Sequence, residues 1–312
     1  MHSQHYDRFV RARWSLEGLS VGDAFGDSLF FQGCARYALH PLETMLSKRL
    51  LPAPRWFYTD DTQMALSIVE VLRQFGEIDQ DQLALSFARR FERARGYGPA
   101  MYELLPRLQA GQPWKQAAHS LFAGQGSFGN GGAMRVAPVG AFFADDLDAV
   151  VEHARRSAEI THAHPEAIAG AIAVAVAAAW AWRLRSVDPL SKGRDFLELT
   201  LPLVPDSEVR EGLSRACTLS LGTSIWQIVA ELGNGSGVSA QDTVPFALWC
   251  AAQHLDNYEE ALWLTASGQG DMDTNCAIVG GIVAAHTGAD GIPAEWLRRR
   301  EPLPTWPFET NE

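Results

Sequence analysis

The sequence predicts an all-α protein, folded as a single compact multi-helix domain over residues 1–312. Apolar residues recur at three- and four-residue spacing in several stretches, which is the period of an amphipathic helix. No run of β-branched residues alternates with polar ones between turn residues, so strands are not expected. No linker separates two regions of different composition, and 47% hydrophobic residues supply one large core.

Helical patterns follow one another along the chain. In the segment 62–75, one face is apolar and consists of Met64, Ile68, Val71, Leu72 and Phe75. In the segment 80–94, the equivalent face consists of Leu83, Phe87 and Phe91, with charged residues between them. Further helices are expected at 146–160, 166–185, 243–254, 257–266 and 274–288.

Prolines and glycines mark the expected helix ends. The prolines at expected helix starts are Pro99, Pro113, Pro245 and Pro293, and the glycines at expected helix ends are Gly76, Gly111 and Gly288. Pro165 fits the first turn of an alanine-rich helix, where its missing N–H costs nothing. The segments 186–206 and 233–237 are the most linker-like, and the Pro-rich tail 302–312 is expected to be irregular.

Composition restricts the possible partners and location. The longest uncharged apolar run, Ala167–Trp182, has 16 residues and is short for a membrane span of about 20, so it is expected to be a buried central helix. A net charge of −11 argues against binding a nucleic-acid backbone, which requires clustered Lys and Arg. Four dispersed cysteines and an N-terminus without an apolar signal segment favour a cytoplasmic protein with no membrane association.

Two acidic clusters, Thr59–Thr62 and Gly270–Thr274, lie 210 positions apart, and each precedes a helical pattern. Both contain carboxylates and a threonine hydroxyl, which are hard oxygen ligands suited to Mg²⁺ or Mn²⁺ rather than zinc. Because adjacent carboxylates repel one another, such clusters are costly without a cation. The alternative is helix capping, since Asp and Thr are common in the first turn of helices. Spacing alone does not decide between them.

Two further segments carry polar groups. Gly124–Pro138 has five glycines in nine residues before a helical pattern, which suits a backbone N–H cradle for phosphate but also a flexible loop. The segment Thr161–Pro165 has two histidines, His162 and His164, just before a helix. They could bind metal or ribose, or cap the helix; zinc would need a third nitrogen or sulfur ligand that the sequence does not reveal.

Taken in order, these elements resemble the ADP-ribosylglycohydrolase family, which includes ADP-ribosylserine, ADP-ribosylarginine and dinitrogenase reductase-activating hydrolases. The resemblance extends over nearly the whole chain. The matching stretches are GLSVGDAFGD at 18–27, YTDDTQMALSI at 58–68, GSFGNGGAMRVAPVG at 126–140, THAHPEAIAGA at 161–171, and GQGDMDTNCAIVGGIVAAHTGADGIPAEW at 268–296.

The resemblance implies an all-α hydrolase that releases ADP-ribose with two Mg²⁺ ions, Mn²⁺ being possible. The metal ligands that it implies are Thr59, Asp60, Asp61, Asp271, Asp273 and Thr274. The substrate-binding residues that it implies are Gly126, Ser127, Phe128, Gly129, Asn130 and Gly131 around the diphosphate and distal ribose, and His162 on the adenosine side. Asp60 or Asp61 is the base candidate, whereas Asp23 is expected to be structural.

The sequence departs from the family pattern at one position. Family members with a GDxxGxxxE pattern have a glutamate where this chain has Phe30. Asp27 is the nearest carboxylate that could act as the general acid instead, and Glu43 is more remote. Because of this difference, the alternative function is that of a catalytically impaired protein that binds ADP-ribose without hydrolysing its linkage.

The bond that is cut is a further open question. The stretch GSFGNGGAMR and Arg95–Gly98 resemble the branch that acts on oxygen-linked substrates, ADP-ribosylated serine or O-acetyl-ADP-ribose. Hydrolysis of ADP-ribosylarginine is the alternative. A class I terpene synthase, which is also all-α with an Asp-rich magnesium site, is disfavoured because the outer acid of a DDxxD motif is missing after Asp61.

Overall fold

The structure is a computed structural model that describes residues 2–36, 38–186, 192–220 and 222–309. These residues form α-helices joined by short turns, without any β-strand, so the predicted all-α class is confirmed. The helices are α1 His2–Cys34, α2 Leu42–Lys48, α3 Asp60–Phe75, α4 Gln80–Arg90, α5 Pro99–Gln109, α6 Trp114–His119, α7 Leu121–Gly124, α8 Gly131–Met134, α9 Ala137–Phe142, α10 Leu147–Glu159, α11 Pro165–Arg183, α12 Lys192–Thr200, α13 Glu208–Thr218, α14 Ile225–Leu232, α15 Ala240–Gln253, α16 Tyr258–Ser267, α17 Met272–Thr287 and α18 Ala294–Arg299.

The alanine-rich helix α11 lies at the centre of the molecule, as predicted. It packs against α8, α9, α10, α15 and α17, and its small side chains allow these neighbours to approach closely. Length and hydropathy alone would allow α11 to cross a membrane, but 72% of its apolar window is buried inside the protein. Pro165 occupies its first turn, where it was expected.

Helices α1 and α17 touch backbone to backbone along a row of glycines. A Cβ on Gly22 would stand 2.1 Å from the carbonyl oxygen of Cys276, and one on Gly26 would stand 2.3 Å from that of Met272. Gly18 makes the same close approach to Gly280 further along. Because no side chain fits between the two helices, the start of α17 is held directly against the C-terminal third of α1, at Gly26.

Several predicted helix limits need correction. Pro245 lies inside α15 rather than at its start, because the helix begins five residues earlier, at Ala240 after the N-cap residue Ser239. Helix α4 ends at Arg90, since Phe91 turns to an extended conformation. Phe75, placed on the core face of α3, is 45% exposed because it is the last residue before the left-handed Gly76.

The linker-like segments also differ from the prediction. The segment 186–206 includes α12 and a following 3₁₀ turn, Leu201–Leu203, although residues 187–191 lie outside the described residues. The buried side chains of Phe196 and Leu197 attach α12 to the core. The tail beyond Arg300 is described to residue 309 and contains turns there but no helix.

Candidate active site

The first acidic cluster forms the start of α3. Thr59 is the N-cap residue, and its Oγ1 accepts a hydrogen bond from the N–H of Asp61 at 3.4 Å. Asp60 and Asp61 occupy the first turn, where the partial positive charge of the helix favours carboxylates. Both are nonetheless buried, so capping explains the position of this cluster but not its burial.

Asp23 of α1 holds this helix start in place. Its carboxylate accepts hydrogen bonds from Thr59 N at 3.0 Å and Thr59 Oγ1 at 2.9 Å. It also accepts from Thr62 N at 3.1 Å and Thr62 Oγ1 at 2.5 Å. These hydrogen bonds make Asp23 the residue that anchors the start of α3 to α1, which agrees with the structural role expected for it.

The second acidic cluster begins α17, with Asp271 as its N-cap residue and Asp273 in the first turn. A Cβ on Gly26 would stand 2.8 Å from the backbone nitrogen of Asp273, so the start of α17 lies one turn along α1 from Asp23, which binds the first cluster. Burial first, with a contribution from the charge of Asp273, raises the pKa of Asp23, Asp60 and Asp61. The two clusters, remote in sequence, therefore share one site because the glycine contact brings the start of α17 onto α1.

Burial and mutual repulsion make this site electrostatically unfavourable. Burial first, and then neighbouring carboxylates, raise the pKa of Asp23 and of Asp271 to about 8. Burial, Asp23 and Asp273 likewise raise the pKa of Asp61 well above its usual range. The Oδ2 atom of Asp61 is buried and has no hydrogen-bond partner. A carboxylate oxygen in this situation lacks the compensation that a cation or a donor would give.

Arg135 is the buried cation near the cluster. Its Nη2 donates to Thr161 Oγ1 at 2.8 Å and to the carbonyl of Ser157 at 3.0 Å, and its guanidinium lies over the ring of Phe87. Burial lowers its pKa to about 10, and the charges of the nearby Asp60 and Asp61 oppose that effect. In the sequence, Arg135 is one position of the glycine-rich stretch 124–138, and no local pattern there indicates its burial.

The glycine-rich loop is joined to the acidic cluster through Asn130. The side-chain Nδ2 of Asn130 donates to Asp271 Oδ2 at 2.7 Å and to Thr243 Oγ1 at 3.0 Å. Gly126 has φ +76°, and a Cβ there would stand 2.9 Å from the backbone nitrogen of His164. Ser127 Oγ accepts from the N–H of Gly129 at 3.2 Å. These contacts define the loop conformation, so it is a packed structure and not a free linker.

His162 lies beneath this loop. A Cβ on Gly131 would stand 2.6 Å from Cε1 of His162, so only glycine allows the loop to cross the ring at this point. Its Nδ1 is hydrogen-bonded to Thr161 Oγ1 at 2.7 Å. Burial and the charge of Arg135 lower the pKa of His162 to about 3, so the ring is neutral at physiological pH. The other histidine, His164, is the N-cap residue of α11.

Phe128 projects from the loop and is 39% exposed. Its ring centroid lies 5.7 Å from that of His164 and 5.9 Å from that of Phe122. Phe122 is exposed too and has φ +51°, unusual for a bulky residue. Sequence reasoning did not find Phe122, because a single aromatic in a short turn carries no recognisable signal.

The segment 233–237, interpreted as a linker, in fact packs against the second acidic cluster. The carbonyl of Asn234 accepts from the N–H of Asp271 at 3.1 Å and from Asn275 Nδ2 at 2.7 Å. A Cβ on Gly235 would stand 2.6 Å from the Cβ of Asp271. The signal that was available is the pair of glycines flanking Asn234, which permits this close approach.

The candidates for the missing glutamate lie in different surroundings. Phe30 is 45% exposed near the end of α1. Asp27, one turn earlier, is partly buried, and burial together with the charge of Asp273 raises its pKa to about 7. Glu43 is exposed in the first turn of α2. Asp27 is thus the candidate that adjoins the acidic cluster.

Comparison with known proteins agrees with this arrangement. The sequence model of the ADP-ribosylglycohydrolase family matches residues 4–307. The chain belongs to the ADP-ribosylglycohydrolase family. It is therefore an ADP-ribosyl hydrolase by class, as the motif resemblance implied.

Relatives of this ADP-ribosylglycohydrolase are similar along most of their length. It is 29% identical to ADP-ribosylhydrolase ARH3 of Danio rerio, over 92% of this chain and 85% of the relative. It is 27% identical to the ADP-ribosylarginine hydrolase Tri1 of Pseudomonas putida, over 93% and 74%. A solved ADP-ribosylglycohydrolase-related protein complex superposes with a TM-score of 0.66 at 28% identity, covering 95% of this chain and 94% of the other.

Proposed function

We propose that this ADP-ribosylglycohydrolase releases ADP-ribose from an oxygen-linked substrate, ADP-ribosylated serine or O-acetyl-ADP-ribose, with the help of two Mg²⁺ ions. The observation that carries the proposal is the convergence of two acidic clusters on a buried site next to an ordered glycine-rich loop. The resemblance of the loop and of Arg95–Gly98 to the oxygen-specific branch supports this choice of linkage.

The residues present fit a hard divalent cation. The donors are carboxylate and hydroxyl oxygens, which Mg²⁺ and Mn²⁺ prefer. The raised pKa values of Asp23, Asp61 and Asp271 and the unpartnered Asp61 Oδ2 all indicate missing positive charge. Within the described residues no three acidic, histidine or cysteine side chains are already grouped as a metal-binding set, so the carboxylates would have to draw together around the ions.

The residues that would hold the ions are Thr59, Asp60, Asp61, Asp271, Asp273 and Thr274. When bound, a pair of divalent cations supplies positive charge to the hydroxyls of the reacting ribose and lowers the pKa of a nearby water. Asn130, bonded to Asp271, keeps the glycine-rich loop beside this position. The loop N–H groups at 126–131 would then bind the diphosphate, and His162 and Phe128 would contact the adenosine side.

The reaction that follows is hydrolysis at the anomeric carbon. Asp60 or Asp61 accepts a proton from the attacking water, whose oxygen forms the new bond to the anomeric carbon. The bond from that carbon to the serine or acetyl oxygen breaks, and Asp27 donates a proton to the leaving oxygen. The surrounding carboxylates stabilise the positive charge that develops on the sugar ring.

A release assay on two synthetic substrates tests this proposal. ADP-ribosylserine and ADP-ribosylarginine peptides are incubated with the protein in Mg²⁺ and in EDTA, and free ADP-ribose is measured. We expect release from the serine peptide in Mg²⁺ and its loss in EDTA. Asp61→Ala and Asp273→Ala should abolish release while the folded state persists; normal metal-dependent turnover in either variant would refute the ligand assignment.

Two alternatives give different results in the same assay. The 27% identity to Tri1, an ADP-ribosylarginine hydrolase, favours testing the arginine peptide, and preferential release from it would replace the oxygen-linked substrate. Phe30, in place of the family glutamate, is the observation that favours a protein that binds ADP-ribose without hydrolysis. Calorimetric binding of ADP-ribose together with no release from either peptide would identify that case.

A further inference from the structure

A second cleft lies at the opposite end of α17 from the acidic site. Its volume is about 440 Å³, and it is lined by Ala144, Asp145, Trp182, Arg183 and Arg185. The guanidinium nitrogens of Arg185 lie 3.6 Å from the position of a Cβ on Gly288, immediately after the last residue of α17. Since α17 has 16 residues, its two ends are about 24 Å apart, and this cleft is separate from the candidate active site.

Arg185 is held on an aromatic surface without a charged partner. Its guanidinium carbon lies 4.7 Å from the ring centroid of Trp182 and 5.2 Å from that of Trp14. No carboxylate in the described part of the chain forms an ion pair with it. The C-terminal end of α17 carries partial negative charge, which favours a cation at this position. The guanidinium N–H groups of Arg185 are still available to donate hydrogen bonds to a ligand.

Arg183 presents a second guanidinium to the same cleft. Its Nε donates to the carbonyl of Ala144, and its guanidinium carbon lies 5.1 Å from the ring centroid of Trp180. Its two terminal nitrogens have no hydrogen-bond acceptor among the described residues. Two planar donor groups with unused N–H bonds therefore line one cavity.

Among the described lining residues the single carboxylate, Asp145, is already neutralised. Arg11 forms two hydrogen bonds to it, Nη1 to Oδ1 at 2.9 Å and Nη2 to Oδ2 at 2.6 Å. Arg8 adds a longer ion pair at 3.5 Å. The hydrogen bond from Arg11 holds the pKa of Asp145 below its usual range. The described residues that line the cleft consequently carry excess positive charge, in a protein whose net charge is −11.

We propose that this cleft binds a phosphorylated small molecule, with Arg183 and Arg185 binding phosphate oxygens and Trp182 forming the apolar wall. Guanidinium groups bind phosphate in a bidentate manner. A ligand with two phosphate groups can therefore engage both arginines, whereas a ligand with a single carboxylate can engage only one. The volume lies within the range of small-molecule pockets. This site is independent of the proposed hydrolase function.

Amide hydrogen exchange of the full chain in EDTA tests the proposal. It is measured without ligand, with inorganic pyrophosphate and with ADP. We expect slower exchange in segments 140–146 and 178–186 as either ligand is added at millimolar concentration. ADP is also expected to protect 126–131 in the candidate active site, so the two sites are read separately. Stronger protection of the cleft by ADP than by pyrophosphate would identify a nucleotide, and equal protection would identify the diphosphate itself as the recognised group.

Charge-removing variants show whether the arginines are responsible. Arg183→Gln with Arg185→Gln should weaken binding at the cleft about tenfold or more, because charge-assisted hydrogen bonds are lost. Exchange at 126–131 and release of ADP-ribose should not change. Arg298→Gln, at an exposed arginine of α18, is the matched control and should bind normally. If the double variant unfolds at a lower temperature, Arg185→Lys tests the bidentate contact while keeping the charge.

Two results would overturn the proposal. One is unchanged exchange at 140–146 and 178–186 in the original protein with both ligands. The other is protection of these two segments that is as strong in the double variant, or in Arg185→Lys, as it is in the original protein. Neither outcome depends on hydrolysis, so this proposal and the proposed function fail separately.

Discussion

At the scale of single residues, Asn130 connects the two halves of the candidate active site. Its amide nitrogen is the hydrogen-bond donor that joins the glycine-rich loop to Asp271. Without this bond, the loop and the acidic cluster would lose their fixed relative position, and Asp271 would lose a donor that lowers its raised pKa.

We expect Asn130→Ala to lower kcat/KM for the serine substrate about tenfold to a hundredfold. The reason is the loss of a hydrogen bond to a charged group, which contributes about 1.5–3 kcal/mol. Steady-state rates with the ADP-ribosylserine peptide measure the effect. Asn257→Ser, which retains a capping side chain at α16, is the control and should keep its rate. An unchanged kcat/KM in Asn130→Ala would show that the loop is positioned by other contacts.

Asp27 yields a second residue-scale prediction, on the pH dependence of activity. A general acid must be protonated, so activity should fall as the pH rises through its pKa, which burial and the charge of Asp273 raise to about 7 in the metal-free protein and which bound cations would lower. Asp27→Asn should lower kcat by a factor of about 10²–10⁴, the usual contribution of acid catalysis, and remove this alkaline limb. Rates measured between pH 5 and pH 9, about two units either side of that value, test both effects.

Glu43→Gln is the matched control for Asp27→Asn. Because Glu43 is exposed on α2, its substitution should leave both kcat and the pH profile unchanged. If Glu43→Gln loses activity and Asp27→Asn does not, the acid lies on α2 and the assignment to Asp27 is wrong.

The sequence predicted many of these residues but not how they meet. The acidic clusters and the glycine-rich loop could be recognised because their composition is locally unusual. The burial of Arg135 and the contact of Asn234 with Asp271 arise from pairings between remote segments, which no local pattern encodes. The metal ligands and substrate contacts remain predictions, supported by the chemistry of the converging side chains.

At the scale of elements, the contact between α1 and α17 determines where the acids lie. Glycine at positions 18, 22 and 26 lets the backbones touch, and the adjacent Asp23 and Asp27 then face the start of α17. The helical pattern at 274–288 was visible in the sequence, whereas this pairing was not. Periodicity reports which face is apolar but not which helix will cover it.

Gly22→Ala tests the importance of this contact for stability. The new Cβ would stand 2.1 Å from the backbone oxygen of Cys276, which cannot move without separating the helices. We expect the free energy of unfolding to fall by about 1–3 kcal/mol or more, as for other overpacked cores. Urea denaturation measures the change. Gly222→Ala, where a Cβ meets nothing within 4 Å, should have little effect and serves as the control.

At the scale of the whole molecule, the buried carboxylates link stability to pH and to metal. In the folded protein the pKa values of Asp23 and Asp271 are about 8, well above the value near 4 of an unfolded chain. Between these values the folded state binds more protons than the unfolded state. The contribution of Asp23 and Asp271 to stability therefore decreases as the pH rises from about 4 to about 8, and the lowered pKa of His162 opposes these two groups with a single proton below about pH 6.5.

We expect the Tm in EDTA to fall over this pH range and to fall much less in Mg²⁺. A cation bound only by the folded state both neutralises the carboxylates and stabilises by mass action. Thermal unfolding at several pH values, with Mg²⁺ and with EDTA, provides the measurement. Identical pH dependence in the two conditions would indicate that these carboxylates do not bind the metal.

The glycine contact between α1 and α17 also affects how the enzyme can fail. The same contact supports the hydrophobic core and aligns the acids. Substitutions there should therefore unfold the protein, and the unfolded chain should be degraded in the cell, rather than leave an inactive but folded chain. Random mutagenesis should accordingly yield stable, inactive variants mainly from the acidic clusters, the loop around Asn130 and the turn at Asn234, and few from the glycine contact. The loop and the turn, rather than the packed contact between α1 and α17, are where specificity can be altered while the fold persists.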